Sequence, residues 1–266
     1  MTISIKSQRE LEKMRVAGRI VADVLRELRE AIEPGMTTKD IDRISERAIR
    51  GADAEPAFPY IDDFPGTVCV SVNEEVVHGI PGKRVLHDGD IVKLDVGALF
   101  DGYHGDAAVT VPVGEVSDEA RRLIEVTNGA LAAGIEAVRP GAFLNDIGSA
   151  IEDHVRSSGF SIVRQYVGHG VGRELHEEPE VFHFRQPYRG ARLRPGMTLT
   201  IEPMINAGTY QTLTLRDGWT VVTRDRRLSA QFEHTVAVTE DGYEIMTLPE
   251  RGSVWGVPRE ASKPVQ

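Results

Sequence analysis

The sequence predicts an α+β fold made of two related halves, each running from helices into strands. Three observations carry this expectation: an order of elements that restarts after Gly114, two motif pairs that superpose at almost the same offset, and strand-like runs joined by a tight turn.

The first half opens at Ser7, which begins a Ser-x-x-Glu capping box closed by Glu10. Leu11, Met14, Ala17, Val21, Val24, Leu25 and Leu28 then recur at helical spacing until Pro34-Gly35 stops the helix. A second helix is expected over Thr38 to Arg50, with Ile41, Ile44, Ala48 and Ile49 on one face. Strand-like runs follow at 68–72 (VCVSV), 91–100 (IVKLDVGALF) and 107–113 (AAVTVPV). Between the last two, Asp101-Gly102 is a two-residue hairpin signal, which would pair residue 100 with 103, 97 with 106 and 95 with 108.

After Gly114 the order begins again. Ser117 caps a helix carrying Leu123, Ile124, Leu131, Ile135 and Val138, which also ends in Pro-Gly, at Pro140-Gly141. EPGMTTKDIDRISE (33–46) aligns with RPGAFLNDIGSAIE (139–152) at an offset of 106, and LHDGDIVKLDVG (86–97) with LRPGMTLTIEPM (193–204) at 107, setting Asp95 against Glu202. The expected organisation is one domain over 1–250, with a repeat of about 7–114 and 115–250, and a C-terminal tail over 251–266. Two such halves would pack about a pseudo-two-fold axis and bring ligands in pairs from opposite sides.

Composition excludes several classes. Net charge is -10 and no run of basic residues interrupts it, so no nucleic-acid footprint is visible. Cys69 is the single cysteine and forms no intrachain disulfide, the start MTISIKSQRELEKMR lacks the apolar segment of a signal peptide, and no run is long enough to span a membrane. The expected compartment is the cytoplasm.

In the hairpin register Asp95 and Asp106 share one face as diagonal neighbours, with Cβ atoms about 7–8 Å apart, a gap that a cation held between them would close. A bulge at Gly105 would instead put them on opposite faces. Solvated turn residues are the plain alternative, but Asp95 stands inside the apolar run IVKLDV, where an ionised group is costly unless paired or metal-bound. Glu202 in LTIEPM and Glu233 ahead of HTVAV share that difficulty. A divalent metal explains all four, and His169 in YVGHGVG is the remaining ligand candidate. Oxygen-rich ligation with one imidazole suits Mn, Fe or Co at least as well as Zn.

In this order, VCVSVNEEVVHGIPG, DVGALFDGYHGD, GHGVGRELHEEP, TIEPM and AQFEHT resemble the methionine aminopeptidases, over about Ser7 to Leu248. The short interval from His169 to Glu202 leaves no space for the type II insertion, so type I fits. The resemblance implies a pita-bread fold, antiparallel sheet covered by helices, closing over two divalent metal ions: Asp95 on one, His169 and Glu202 on the other, Asp106 and Glu233 bridging. It implies Glu202 as general base, His176 as donor to the developing oxyanion and His78 as contact to the substrate amide. It also implies a methionine pocket of Phe58, Ile61, Phe64, Cys69, Leu175 and Trp219. Phe58 replaces a smaller residue of relatives, Ile61 an aromatic and Leu175 a phenylalanine. His176 beside Glu177 and Glu178, His78 beside Gly79 and the aromatics of a core each have an ordinary structural reading as well.

The activity so implied is removal of the initiator methionine from nascent polypeptides with a small second residue, by a monomer in transient contact with the ribosome. A monovalent cation near Asn73, Glu75 and Ser229 is a further implication. A proline-specific aminopeptidase of the same fold is the nearest rival, although such enzymes usually carry a large preceding domain and the first helix here starts near residue 7. A pita-bread binding protein without catalysis is the rival of a different class.

Overall fold

The computed structural model describes residues 2–61 and 63–249; the tail expected over 251–266 lies outside them. Four helices cover the sheets: α1 (Gln8–Ala31), α2 (Thr38–Gly51), α3 (Asp118–Glu136) and α4 (Leu144–Val155). Ser7 caps α1 in a complete capping box with Glu10, and every apolar residue expected on its inner face is buried. Ser117 caps α3 through its side chain. No helix of the described residues is long and apolar enough to cross a membrane.

The strand Ile91–Phe100 pairs on one edge with Cys69–Val72 and Glu55–Pro56 and on the other with Tyr103–Pro112. The hairpin register is the expected one: Phe100 faces Tyr103, Gly97 faces Asp106 and Asp95 faces Ala108, without a bulge. Asp101 and Gly102 both take positive φ, 46° and 78°, as a type I′ turn requires. The strand beyond the turn begins at Tyr103, earlier than the apolar run at 107 suggests, because a ten-residue ladder carries the polar residues with it.

A second, five-stranded antiparallel sheet runs in the order Tyr243–Ile245, His234–Val238, Thr198–Ile201, Gly168–Gly170, Glu177–Val181. The hairpin strand Tyr103–Pro112 meets Ser229–Gln231, a strand of a separate three-stranded sheet, and the chain that runs on into His234–Val238 along a seam. Glu233 N–H donates to Ala108 O at 2.8 Å, Thr110 Oγ1 donates to Gln231 O at 2.6 Å, and Thr235 Oγ1 donates to Asp106 O at 2.8 Å. Outside the main ladders, the bridge of Thr37 to Val85 has a counterpart in Phe143 to Arg192, offset by 106 and 107 residues.

Gly105 carries no bulge, and its use lies elsewhere. It lies within the strand Tyr103–Pro112, and a Cβ there would sit 2.6 Å from the backbone of Ala17 and Gly18 in α1. Its bareness lets the helix lie directly on the hairpin. Replacing Gly105 with alanine should therefore cost about 1–3 kcal/mol or more through overpacking against backbone, whereas Gly102→Ala, in open space at positive φ, should cost about 1–2 kcal/mol. Urea unfolding of the two variants checks the order.

Candidate metal centre and substrate pocket

The four carboxylates and the imidazole expected from the sequence all line one cavity of about 470 Å³. Asp95 and Asp106 come from the two strands of the hairpin, Glu202 from the residue after Thr198–Ile201, and Glu233 from the connection between Ser229–Gln231 and His234–Val238. Asp106, Glu202 and Glu233 are buried, at 4%, 9% and 2% exposure, and Asp95 is half-buried. Asp106, His169 and Glu233 each offer a ligand atom within 4.8 Å of the others.

The donors fit a cation. Asp95 Oδ1, Asp106 Oδ1 and Glu233 Oε1 are buried without a hydrogen-bond partner, the state that a buried oxygen avoids unless something positive meets it. His169 Nδ1 lies 2.9 Å from Gly170 O, an acceptor, so this nitrogen carries the proton and Nε2 presents a lone pair. That Nε2 stands 3.7 Å from Asp106 Oδ2 and 3.6 Å from Glu202 Oε1, too far for hydrogen bonds. Burial pushes the His169 imidazole down to about 3, so it is neutral at ordinary pH and is a ligand in form, not an ion-pair partner.

Crowded, buried acids hold their protons. Burial raises Asp95 to about 7; burial and then the Asp95 charge raise Glu202 to about 8, against hydrogen bonds from Thr200 and Gln231. Burial and the neighbouring carboxylates raise Asp106 and Glu233 well above the usual range.

Several residues that position these groups were not legible as site residues. Thr200 Oγ1 donates to Glu202 Oε1 at 2.9 Å and receives His169 N–H at 2.9 Å, so one hydroxyl fixes two candidate ligands. Gln231 Nε2 donates to Glu202 Oε2 at 3.4 Å, and Glu202 N–H donates to Nε2 of the buried His183 at 3.1 Å. Thr200 and Gln231 each stand two residues before an acid, on the same strand face, and that spacing is the one signal that could have marked them.

Around the acids lies an apolar wall. Phe58, Ile61, Phe64, Cys69 and Trp219 line the cavity and belong to one hydrophobic cluster. Phe64 makes edge-to-face contacts with Phe58 at 6.1 Å and Trp219 at 5.2 Å between centroids. Leu175 is buried in the same cluster, a layer behind the residues that line the cavity. Cys69 faces Asp95 across the ladder, and burial with the nearby acids pushes its thiol well up, so it serves as an apolar wall atom and not as a nucleophile.

His78 and His176 also line this cavity. His78 takes a positive φ of 57°, a costly conformation outside glycine, and its ring meets Tyr166 and Trp219 edge to face. Burial lowers it to about 4. The His176 ring stacks edge to face on that of His169 at 4.4 Å, and the neighbouring Glu177 carboxylate is engaged by Lys6, Ser4 and the Arg173 N–H. Where a monovalent cation was expected, near Asn73, Glu75 and Ser229, the structure places the buried ammonium of Lys93, whose pKa burial lowers to about 7 against the pull of Glu75 and Glu74.

The sequence profile of metallopeptidase family M24 matches residues 12–240. The chain belongs to metallopeptidase family M24. Methionine aminopeptidase 1 of Bacillus subtilis is 53% identical over 245 residues, covering 92% of this chain and 99% of that protein. Methionine aminopeptidase of Escherichia coli is 46% identical over 93% of this chain and 95% of its own length. Among solved structures, methionine aminopeptidase of Rickettsia prowazekii superposes at a TM-score of 0.91 with 44% identity, over 93% of this chain and 100% of that one. Prolidase of Pyrococcus furiosus matches at a TM-score of 0.76 with 25% identity, over 93% of this chain and 66% of its own. The M24 chain thus has the pita-bread fold, and M24 membership makes it a metallohydrolase that uses divalent metal ions.

Because the buried acids of the metal-free M24 protein bind protons that the unfolded chain would release, their contribution to stability falls as pH rises from the ordinary carboxylate range through about 7–8. Metal competes with the same protons. The gain in unfolding midpoint on adding Mn or Co should therefore be larger at pH 8 than at pH 6, with protons released on binding; calorimetry in buffers of different ionisation enthalpy measures both.

Proposed function

We propose that this protein removes the N-terminal methionine from nascent polypeptides and peptides, with Asp95, Asp106, His169, Glu202 and Glu233 holding two divalent ions. The observation that carries the reading is the convergence of unpartnered carboxylate oxygens and a bare imidazole lone pair beside an apolar cavity. The relatives named methionine aminopeptidase, matched at 53% and 46% identity over nearly the whole chain, support it. Prolidase, at 25%, shares the fold at a greater distance.

When bound, the ions would supply Lewis acidity and a nucleophile at neutral pH. The chain's own residues do the rest. Glu202, its two carboxylate oxygens held by Thr200 and Gln231, is the proposed base, since those bonds fix it beside the other candidate ligands. His176 is proposed to donate to the oxygen on which charge develops, and the neutral His78, fixed between Tyr166 and Trp219, to hold the substrate amide. Phe58, Ile61, Phe64, Cys69 and Trp219 would take the thioether side chain by burial and dispersion, with Leu175 backing them.

The paired bridges offset by 106 and 107 residues support an internal duplication, in which Asp95 and Glu202 hold corresponding places. A preference for small second residues, a cytoplasmic place, a monomeric state and passing contact with the ribosome complete the reading; no basic run marks where that contact would be.

Purified protein supplied with Mn or Co should release methionine from Met-Gly-Met, and much more slowly from Met-Leu-Met; failure on both peptides would sink the reading. Glu202→Gln and His169→Ala should each lower kcat/KM by about 100-fold or more, and either variant at full activity would overturn the ligand assignment.

A further inference from the structure

Lys93 is a cation without a carboxylate. Its side chain is 1% exposed, and among the described residues it forms no salt bridge. Its Nζ instead donates to two backbone carbonyls, Asn73 O at 2.7 Å and Ser229 O at 2.8 Å. The nearby acids are engaged elsewhere: Glu75 by Arg84 and the Val72 N–H, Asp90 by the Asn73 amide and the His87 N–H. What Lys93 meets is therefore a pair of carbonyl dipoles, the kind of seat that suits an alkali ion as well as an ammonium, because the two are alike in charge and similar in size.

The seat is built from residues distant in sequence. Asn73 has a positive φ of 54°, and its carbonyl also receives the Ser229 N–H at 3.0 Å. Its side-chain oxygen accepts Ile91 N–H at 3.0 Å and its N–H donates to Ile91 O at 2.9 Å, so the carbonyl cannot turn away. Ser229 begins the strand that carries Gln231, which holds Glu202, and leads to Glu233. Lys93 lies on the same strand face as Asp95, two residues before it.

We propose that Lys93 supplies a built-in cation to a carbonyl seat formed by Asn73 and Ser229, doing in this chain what a bound sodium or potassium ion would otherwise do: tying the Ser229–Gln231 strand to the Asp95 strand beneath the metal centre. Lys93 is thus a positioning residue, and the protein is independent of alkali ions. The inference concerns the scaffold and stands whether or not the chain releases methionine.

Thermal unfolding of metal-free protein in mildly acidic buffer tests it, comparing NaCl and KCl with choline chloride at equal concentration. The wild type should show the same midpoint in all three. K93A, which empties the seat, should unfold about 5–10 °C lower in choline chloride and recover much of that loss in NaCl or KCl. K93M, which refills the space without charge, should be lowered and indifferent to the salt. A wild-type midpoint that rises with alkali ions, a K93A midpoint that does not, or a K93M protein as stable as the wild type would each overturn the proposal.

Discussion

Four carboxylates are brought to one cavity with no lysine or arginine paired to them among the described residues. Two like charges at 4 Å repel by about 4 kcal/mol even at an effective dielectric near 20, so the arrangement holds only by protonation or by a shared cation. Much of the architecture resists that repulsion. The seam pairs Thr110 with Gln231, Ala108 with Glu233 and Asp106 with Thr235 in antiparallel sequence, and each pair flanks or includes an acid. Threonine hydroxyls stand in for ladder hydrogen bonds there: Thr110 Oγ1 also accepts Gln231 N–H, and Thr235 Oγ1 accepts Asp106 N–H.

The parts of the fold that were legible in the sequence depend on local rules. The α1 face follows from 3.6-residue spacing, and the hairpin register from Asp101-Gly102 plus the two-residue period of a strand. The acids announced themselves because a charge within an apolar run needs an explanation. What could not be read is tertiary: Gln231 and Lys93 look like ordinary strand residues until the chain returns over more than a hundred positions to give them partners, and Thr200 and His183 until segments 31 and 19 positions away fold beside them. Gly105 stood out only as a place where a bulge could fall, since the helix that presses on it lies near residue 17.

Chemistry and selectivity are held by different kinds of structure. The acids sit on or beside the two main sheets, where paired backbones fix their directions. The apolar wall draws on the short 3-10 turn Phe58–Tyr60 and on loops at Phe64, Leu175 and Trp219. Loops change at little cost to a sheet, so the wall at Phe58, Ile61 and Leu175 can vary while the backbones that direct the acids stay fixed.

The separation has one exception. Gly97 lies on the Asp95 strand, opposite Asp106, and a Cβ there would stand 2.9 Å from the Phe58 ring and 3.0 Å from Ala57. The missing atom is the room in which the Phe58 ring lies. A single methyl added to this strand would thus press on the ring that lines the cavity, so the shape of the apolar wall is written partly in the backbone that carries the acids. Changes in the loops can reshape this cavity, but one side of it is fixed by a glycine paired with the Asp106 backbone.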